Sequence, residues 1–201
     1  MAPVVELLLA STSPRRRELL TAAGIAFALC EPGPEYLDGA GDHTHRETGA
    51  PRELARVRAR RKALGAVAGT GRVPVLGVDT VVDLDGVELG KPADRAEAER
   101  LQRRLAGRVH LVHTAHVLVL PATGWSAEAV ASASVRCRVP SERELSAYLD
   151  SGEWRGKAGA YGLQDGAQTF LSLLEGSFDT VVGLHVAAVE RLLLACRTAC
   201  G

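Results

Sequence analysis

Residues 4–9 form an apolar stretch interrupted by Glu6, and it runs into the small hydroxyl residues Ser11-Thr12-Ser13. Such a run, rich in Val and Leu and bounded by polar residues, predicts a central strand that ends in a loop. Ser13 suits a helix N-cap, Pro14 the first helical position, and Gly24 the stop, so residues 15–23 read as helix. Residues 25–30 return as a second strand. Residues 31–49 carry Gly, Pro, Asp and His without apolar periodicity, and long loops of that kind serve as lids or binding loops. A helix is predicted over residues 51–68, with Leu54, Val57, Leu64 and Val67 inward and Arg56, Arg58, Arg60, Arg61 and Lys62 over much of the rest. The apolar strand 73–78 delivers Asp79 and Thr80 at its end, and residues 81–89 read as a hairpin around Asp85-Gly86. Asp94 and Glu97 have capping spacing, and Ala98, Leu101 and Leu105 then share one helical face. Two long strands, 109–120 and 127–139, flank a turn at Thr123-Gly124. Ser141 with Glu144 opens a helix that ends by Gly152. A Gly-rich stretch at 156–166 precedes a strand over 168–174, and a helix over 184–197 closes the chain. Strand–helix alternation mixed with hairpins predicts an α/β fold with a mixed sheet.

Composition narrows the function classes. The 201 residues fit one domain or two closely joined lobes, and 46% hydrophobic with 24% charged residues excludes disorder across the whole chain. Lys+Arg and Asp+Glu are both 24, giving zero net charge, which argues against bulk attraction to nucleic acid or an acidic membrane but leaves room for a local basic site. No apolar run reaches the roughly 20 residues of a membrane span. The apolar start has no basic flank and does not read as a signal peptide. Cys30, Cys137, Cys196 and Cys200 are scattered, which reads as free thiols in a reducing cytosol.

Four segments carry candidate chemistry. Ser11-Thr12-Ser13-Pro14-Arg15-Arg16-Arg17 sits where a strand meets a helix start. Amide donors, hydroxyls and guanidiniums there suit an anion; the alternative is a capped surface helix with solvated arginines. Asp79, after an apolar strand, is placed to hold a metal ion or orient a water, or else to cap a loop. Gly90-Lys91-Pro92, with Lys62 and Lys157, offers point charges for phosphate oxygens. In the 157–164 segment the glycines permit close approach to a ligand, and Gln164 can both donate and accept toward a base edge. Of the histidines in the long strand, His110 and His116 share one face and His113 the other, so the three do not converge on one zinc ion.

Taken in order, these segments resemble the Maf family of nucleoside triphosphate pyrophosphatases: residues 9–20, Arg61-Lys62-Ala63, Gly77-Val78-Asp79-Thr80-Val81-Val82, Gly90-Lys91-Pro92, Gly107 with His110, residues 157–164, and Val182-Gly183-Leu184. The resemblance implies a single Maf/ITPase-like domain over residues 1–201, with two lobes flanking a cleft, and a metal-dependent cleavage between the α- and β-phosphates. It makes Asp79 the proton acceptor. Arg15, Thr80 and Gln164 match the dTTP/UTP class, with modified pyrimidine nucleotides also open; the methylated-GTP class has an aromatic, Gln and Glu at these positions. Glu35 matches a loop carboxylate, with Glu31 as the alternative, so Mg²⁺ or Mn²⁺ is expected on Asp79 and Glu35. Ser13, Arg16, Lys62, Lys91 and Lys157 would balance phosphate charge. His185 stands where the family normally has Pro. A cytoplasmic homodimer is implied, as is a link to septum formation. The rival is a non-enzymatic division regulator, or a nucleic-acid binder using the Arg52–Lys62 helix. The enzyme reading requires Arg16, Lys91 and Asp79 to share one groove.

Overall fold

A computed structural model describes residues 5–34, 49–66 and 71–200. Its elements are β1 (Leu7–Ala10), α1 (Pro14–Ala22), β2 (Phe27–Cys30), α2 (Pro51–Gly65), β3 (Val75–Leu84), β4 (Val87–Leu89), α3 (Arg95–Leu105), β5 (Val109–Leu120), β6 (Trp125–Cys137), α4 (Glu142–Ser151), β7 (Leu171–Glu175), α5 (Phe178–Val182) and α6 (Val186–Cys200). They build a seven-stranded mixed sheet in the order β2-β1-β3-β5-β6-β7, with β4 paired to β3. β1 runs parallel to both its neighbours, whereas the remaining pairings are antiparallel. The expected mixed α/β sheet is therefore what the chain forms.

The local signals act as their chemistry dictates. Ser141 and Glu144 make a reciprocal capping box, and Gly152 ends α4 in the left-handed conformation at φ 73°. Asp85 and Gly86 both take positive φ, 54° and 79°, as a tight two-residue hairpin requires. Three expectations need correction. β3 does not end before Asp79. It continues to Leu84, because β5 pairs along it from Val75 to Asp83, opposite Leu111. What ends there is β1, whose pairing with β3 stops at Ala10–Gly77. β7 begins at Leu171 rather than 168, since residues 166–169 close a short 3-10 turn. A short helix, α5, precedes the closing one.

The buried face of α2 also differs from the expected one. Leu64 is 45% exposed and Val57 only half-buried, while Ala55, Ala59 and Ala63 are fully buried beside Leu54; Val67 lies outside the described residues. The reason is Gly77. A Cβ there would strike the Ala59 carbonyl oxygen and come 2.5 Å from the Ala63 nitrogen, so helix and strand touch backbone to backbone. Only small residues fit that interface. The same approach buries Arg58 and Lys62, one turn apart on α2, against the sheet.

One apolar cluster gathers Leu7, Leu9, Leu20, Leu76, Leu184 and Val189, and another gathers Leu84, Leu89, Leu105, Tyr148, Trp154 and Phe170. No helix among the described residues is long and apolar enough to cross a membrane. His110 bonds the Tyr161 hydroxyl at 2.6 Å, while His116 accepts the backbone N–H of His185 at 2.9 Å, just ahead of α6. A proline at 185 would have no N–H to place there. Burial lowers His110 to about 4 and His116 to about 3. The unfolded chain therefore takes up protons that the native state refuses once pH falls below about 6.5. Stability from these groups is complete above that value and is lost as pH falls toward about 4 and then about 3. Urea midpoints across this range should decline less steeply for His116→Gln, which keeps an acceptor but cannot be protonated; an unchanged slope would refute the assignment.

Candidate active site

A cavity of about 550 Å³ opens where β1 ends and α1 begins, a volume suited to a small-molecule ligand. Its walls come from the start of α1, from Lys62 on α2, from Asp79 and Thr80 on β3, from Lys91, from the 155–164 segment and from the end of α5. Arg16, Lys91 and Asp79 thus share one groove, as the enzyme reading requires. Ser13, Arg15, Thr80, Gln164 and Lys157 line it too. Glu35 lies outside the described residues, as do His43 and His45. Glu31 does not line this cavity but a smaller neighbouring one. Pro32 and Gly33 reach the main cavity, with the Gly33 N–H bonded to the Lys62 carbonyl at 3.1 Å.

At the mouth of α1, Ser13 occupies the N-cap position without using its side chain to cap, and no acidic residue lies in the first turn. Arginines follow instead, beside the positive end of a helix dipole. That arrangement is unfavourable until an anion arrives. Across the groove floor, Lys62 Nζ donates to Asp79 Oδ1 at 2.6 Å, with the two residues 7% and 3% exposed. Asp79 Oδ2 is buried and has no hydrogen-bond partner among the described residues. One carboxylate oxygen is thus anchored, and the other is left for a ligand. A buried orphan acceptor is costly, and a ligand donating to it from the groove would relieve that cost.

Two expected contacts take a different form. Arg16 is a strut: Nε donates to the Gly183 carbonyl at 2.9 Å, Nη1 to Ser11 Oγ at 3.0 Å and Nη2 to Thr80 Oγ1 at 3.3 Å. Thr114 donates to the Thr180 carbonyl at 2.7 Å and so accepts from Thr80 at 3.0 Å. The proton of the Thr80 hydroxyl is directed into the wall, which limits what it can offer a base. Lys157 reaches the cavity already paired with Asp165. Lys91 follows Gly90, whose carbonyl accepts the Gly159 N–H at 3.0 Å and ties the two loops together.

Sequence reasoning missed the buried fork between Arg58 and Glu88, at 2.5 and 3.0 Å. The four-residue spacing of Arg58 and Lys62 was the available signal. It also missed Arg155 and Tyr161 as wall residues. The described lining sets Arg15, Arg16, Lys62, Lys91, Arg155 and Lys157 against one carboxylate, Asp79. That imbalance selects a polyanion.

Residues 6–196 match the family described as Maf-like protein. A Thermus thermophilus protein named dTTP/UTP pyrophosphatase is 46% identical over 192 residues, covering 94% of each chain. One of the same name from Bordetella avium is 40% identical over 195 residues, covering 93% of each. Another, from Shewanella sp. MR-7, is 37% identical over 195 residues, covering 94% of this chain and 97% of its own.

Proposed function

The chain belongs to the Maf family, and on that premise we propose that it hydrolyses dTTP and UTP, releasing pyrophosphate and leaving the nucleoside monophosphate. The observation that carries this reading is the half-engaged Asp79 carboxylate inside a groove whose other charged lining residues are all cations. Ser13, the α1 amides and Lys91 take phosphate oxygens, because phosphoryl chemistry depends mainly on balancing that charge. Lys62 fixes Asp79 Oδ1, so that Oδ2 points its lone pairs at the attacking water and accepts the proton. Water adds to the α-phosphorus and the bond to the bridging oxygen breaks. The departing pyrophosphate leaves toward the lysines. Gln164 and Arg15 read the pyrimidine edge, and Thr80, held by Arg16 and Thr114, shapes the wall behind it.

The site fits a divalent ion. Mg²⁺ and Mn²⁺ favour oxygen ligands, and Mg²⁺ takes one or two carboxylates plus substrate phosphates. Asp79 Oδ2 is such a donor, and Glu35 is the second carboxylate of the proposal. Bound there, the ion would neutralise phosphate oxygens. The proposal includes a single domain of two lobes around the groove, a cytoplasmic setting and a homodimer, all implied by the family.

A regulator acting through the α2 arginines is not favoured. Arg58 and Lys62 are buried in pairs with Glu88 and Asp79, and Arg56 bridges Glu53 and Glu128. These charges are engaged within the protein. The test is a panel of nucleoside triphosphates with Mg²⁺, with Mn²⁺ and with excess EDTA. dTTP and UTP should be consumed to monophosphate and pyrophosphate, and EDTA should abolish turnover. Preference for purine triphosphates, or full activity in EDTA, would overturn the reading.

A further inference from the structure

Arg155 is absent from every motif above, yet it lines the same cavity as Asp79. Its placement is built. Trp154 is packed in the core, with its indole N–H donating to the Leu149 carbonyl at 2.9 Å. The Arg155 guanidinium lies over that ring, 4.7 Å from its centre, as cation–π attraction favours. Gly152 makes room for it, since a Cβ there would collide with Arg155 Nη1. The backbone N–H of Arg155 donates to the Gly152 carbonyl at 3.1 Å. No hydrogen-bond acceptor or carboxylate among the described residues engages the guanidinium, and it remains exposed at the rim.

This sets Arg155 apart from three other cations of the groove. Arg16 is turned toward three protein oxygens, Lys62 toward Asp79, and Lys157 toward Asp165. Resting on the function proposed above, the geometry points to Arg155 as a substrate-binding residue that grips the terminal phosphates of the triphosphate. A stacked guanidinium presents two parallel N–H donors, the arrangement that phosphate accepts bidentately. The rim is also where the most charged and most hydrated end of the substrate can stay in water. The adjacent segment already offers the base a neutral amide in Gln164, and the ammonium beside it, Lys157, carries its own counter-charge.

The test is steady-state kinetics on dTTP with Arg155→Ala and Arg155→Lys, with inhibition by pyrophosphate and by dTMP measured separately. Arg155→Ala should raise KM about 10- to 100-fold, the scale of lost hydrogen bonds to a charged group, and leave kcat within about threefold. Pyrophosphate inhibition should weaken in proportion while dTMP inhibition is unchanged. Arg155→Lys should recover only part of the loss, because it keeps the charge without the fork. Unchanged pyrophosphate inhibition in Arg155→Ala overturns the inference, as does weakened dTMP inhibition, which would move the residue to the base. Wild-type protein that leaves dTTP intact would count against the proposed function alone. Calorimetric binding of pyrophosphate to wild type and Arg155→Ala would then still decide the role of Arg155.

Discussion

Asp79→Asn should fold and lose about 10³-fold in kcat on dTTP, within the range contributed by a positioned general base. The two oxygens of this carboxylate are held differently. Oδ1 is held by Lys62 at 2.6 Å, and Oδ2 is buried with no partner among the described residues. Asn presents an amide oxygen to Lys62 and so keeps the anchoring contact. It has no second oxygen to take a proton or bind a cation. Removing one partner of a buried ion pair costs roughly 3–5 kcal/mol, and Asn should cost less because an acceptor remains. Asp79→Ala should suffer the full penalty, making the Asn variant the informative one. Circular dichroism and a urea midpoint establish folding, and pyrophosphate release measures turnover. A folded Asp79→Asn with wild-type kcat would remove Asp79 from the chemistry.

The second large effect lies in the backbone. Gly77→Ala should destabilise the protein by about 3 kcal/mol or more, at the upper end of what overpacking costs. The added Cβ meets the Ala59 carbonyl, the Ala63 nitrogen and the Ala63 Cβ. Two of these are helix backbone and the third is fixed to it, so α2 must retreat as a body. Lys62 rides on that helix, and its bond to Asp79 should lengthen. Loss of kcat/KM should therefore exceed what the unfolded fraction explains. Gly90→Ala is the control: nothing lies within 4 Å of a Cβ there, and stability should change by no more than about 0.5 kcal/mol. Equal stabilities for the two variants would refute the close approach of α2 and β3.

The parts of the fold legible in the sequence were those set by neighbouring residues. Ser141 and Glu144, Asp94 and Glu97, and Asp85-Gly86 fix local backbone through contacts no more than three residues apart, and each behaves as read. Strand β5 was legible end to end because residues 109–120, rich in Val and Leu, run without Gly or Pro between Gly107 and Pro121. The misreadings share one cause, namely a partner far away in the chain. Asp79 and Thr80 looked like a strand end because polar residues interrupt an apolar run, but β5 supplies a ladder there and Lys62 neutralises the charge. The Ala face of α2 was overlooked in favour of larger residues, since nothing local reveals that Gly77 demands a small interface. The motifs did assemble the candidate site, apart from Glu35, which lies outside the described residues. Which cations face the ligand was hidden, because Asp165 and the Gly183 carbonyl take up Lys157 and Arg16 only in three dimensions.

The most direct test of the account is where water's oxygen goes. Turnover of dTTP in ¹⁸O-labelled water, followed by mass spectrometry of both products, should place the label in dTMP and leave pyrophosphate unlabelled, as attack on the α-phosphorus demands. Label in pyrophosphate, or release of orthophosphate in its place, would contradict it.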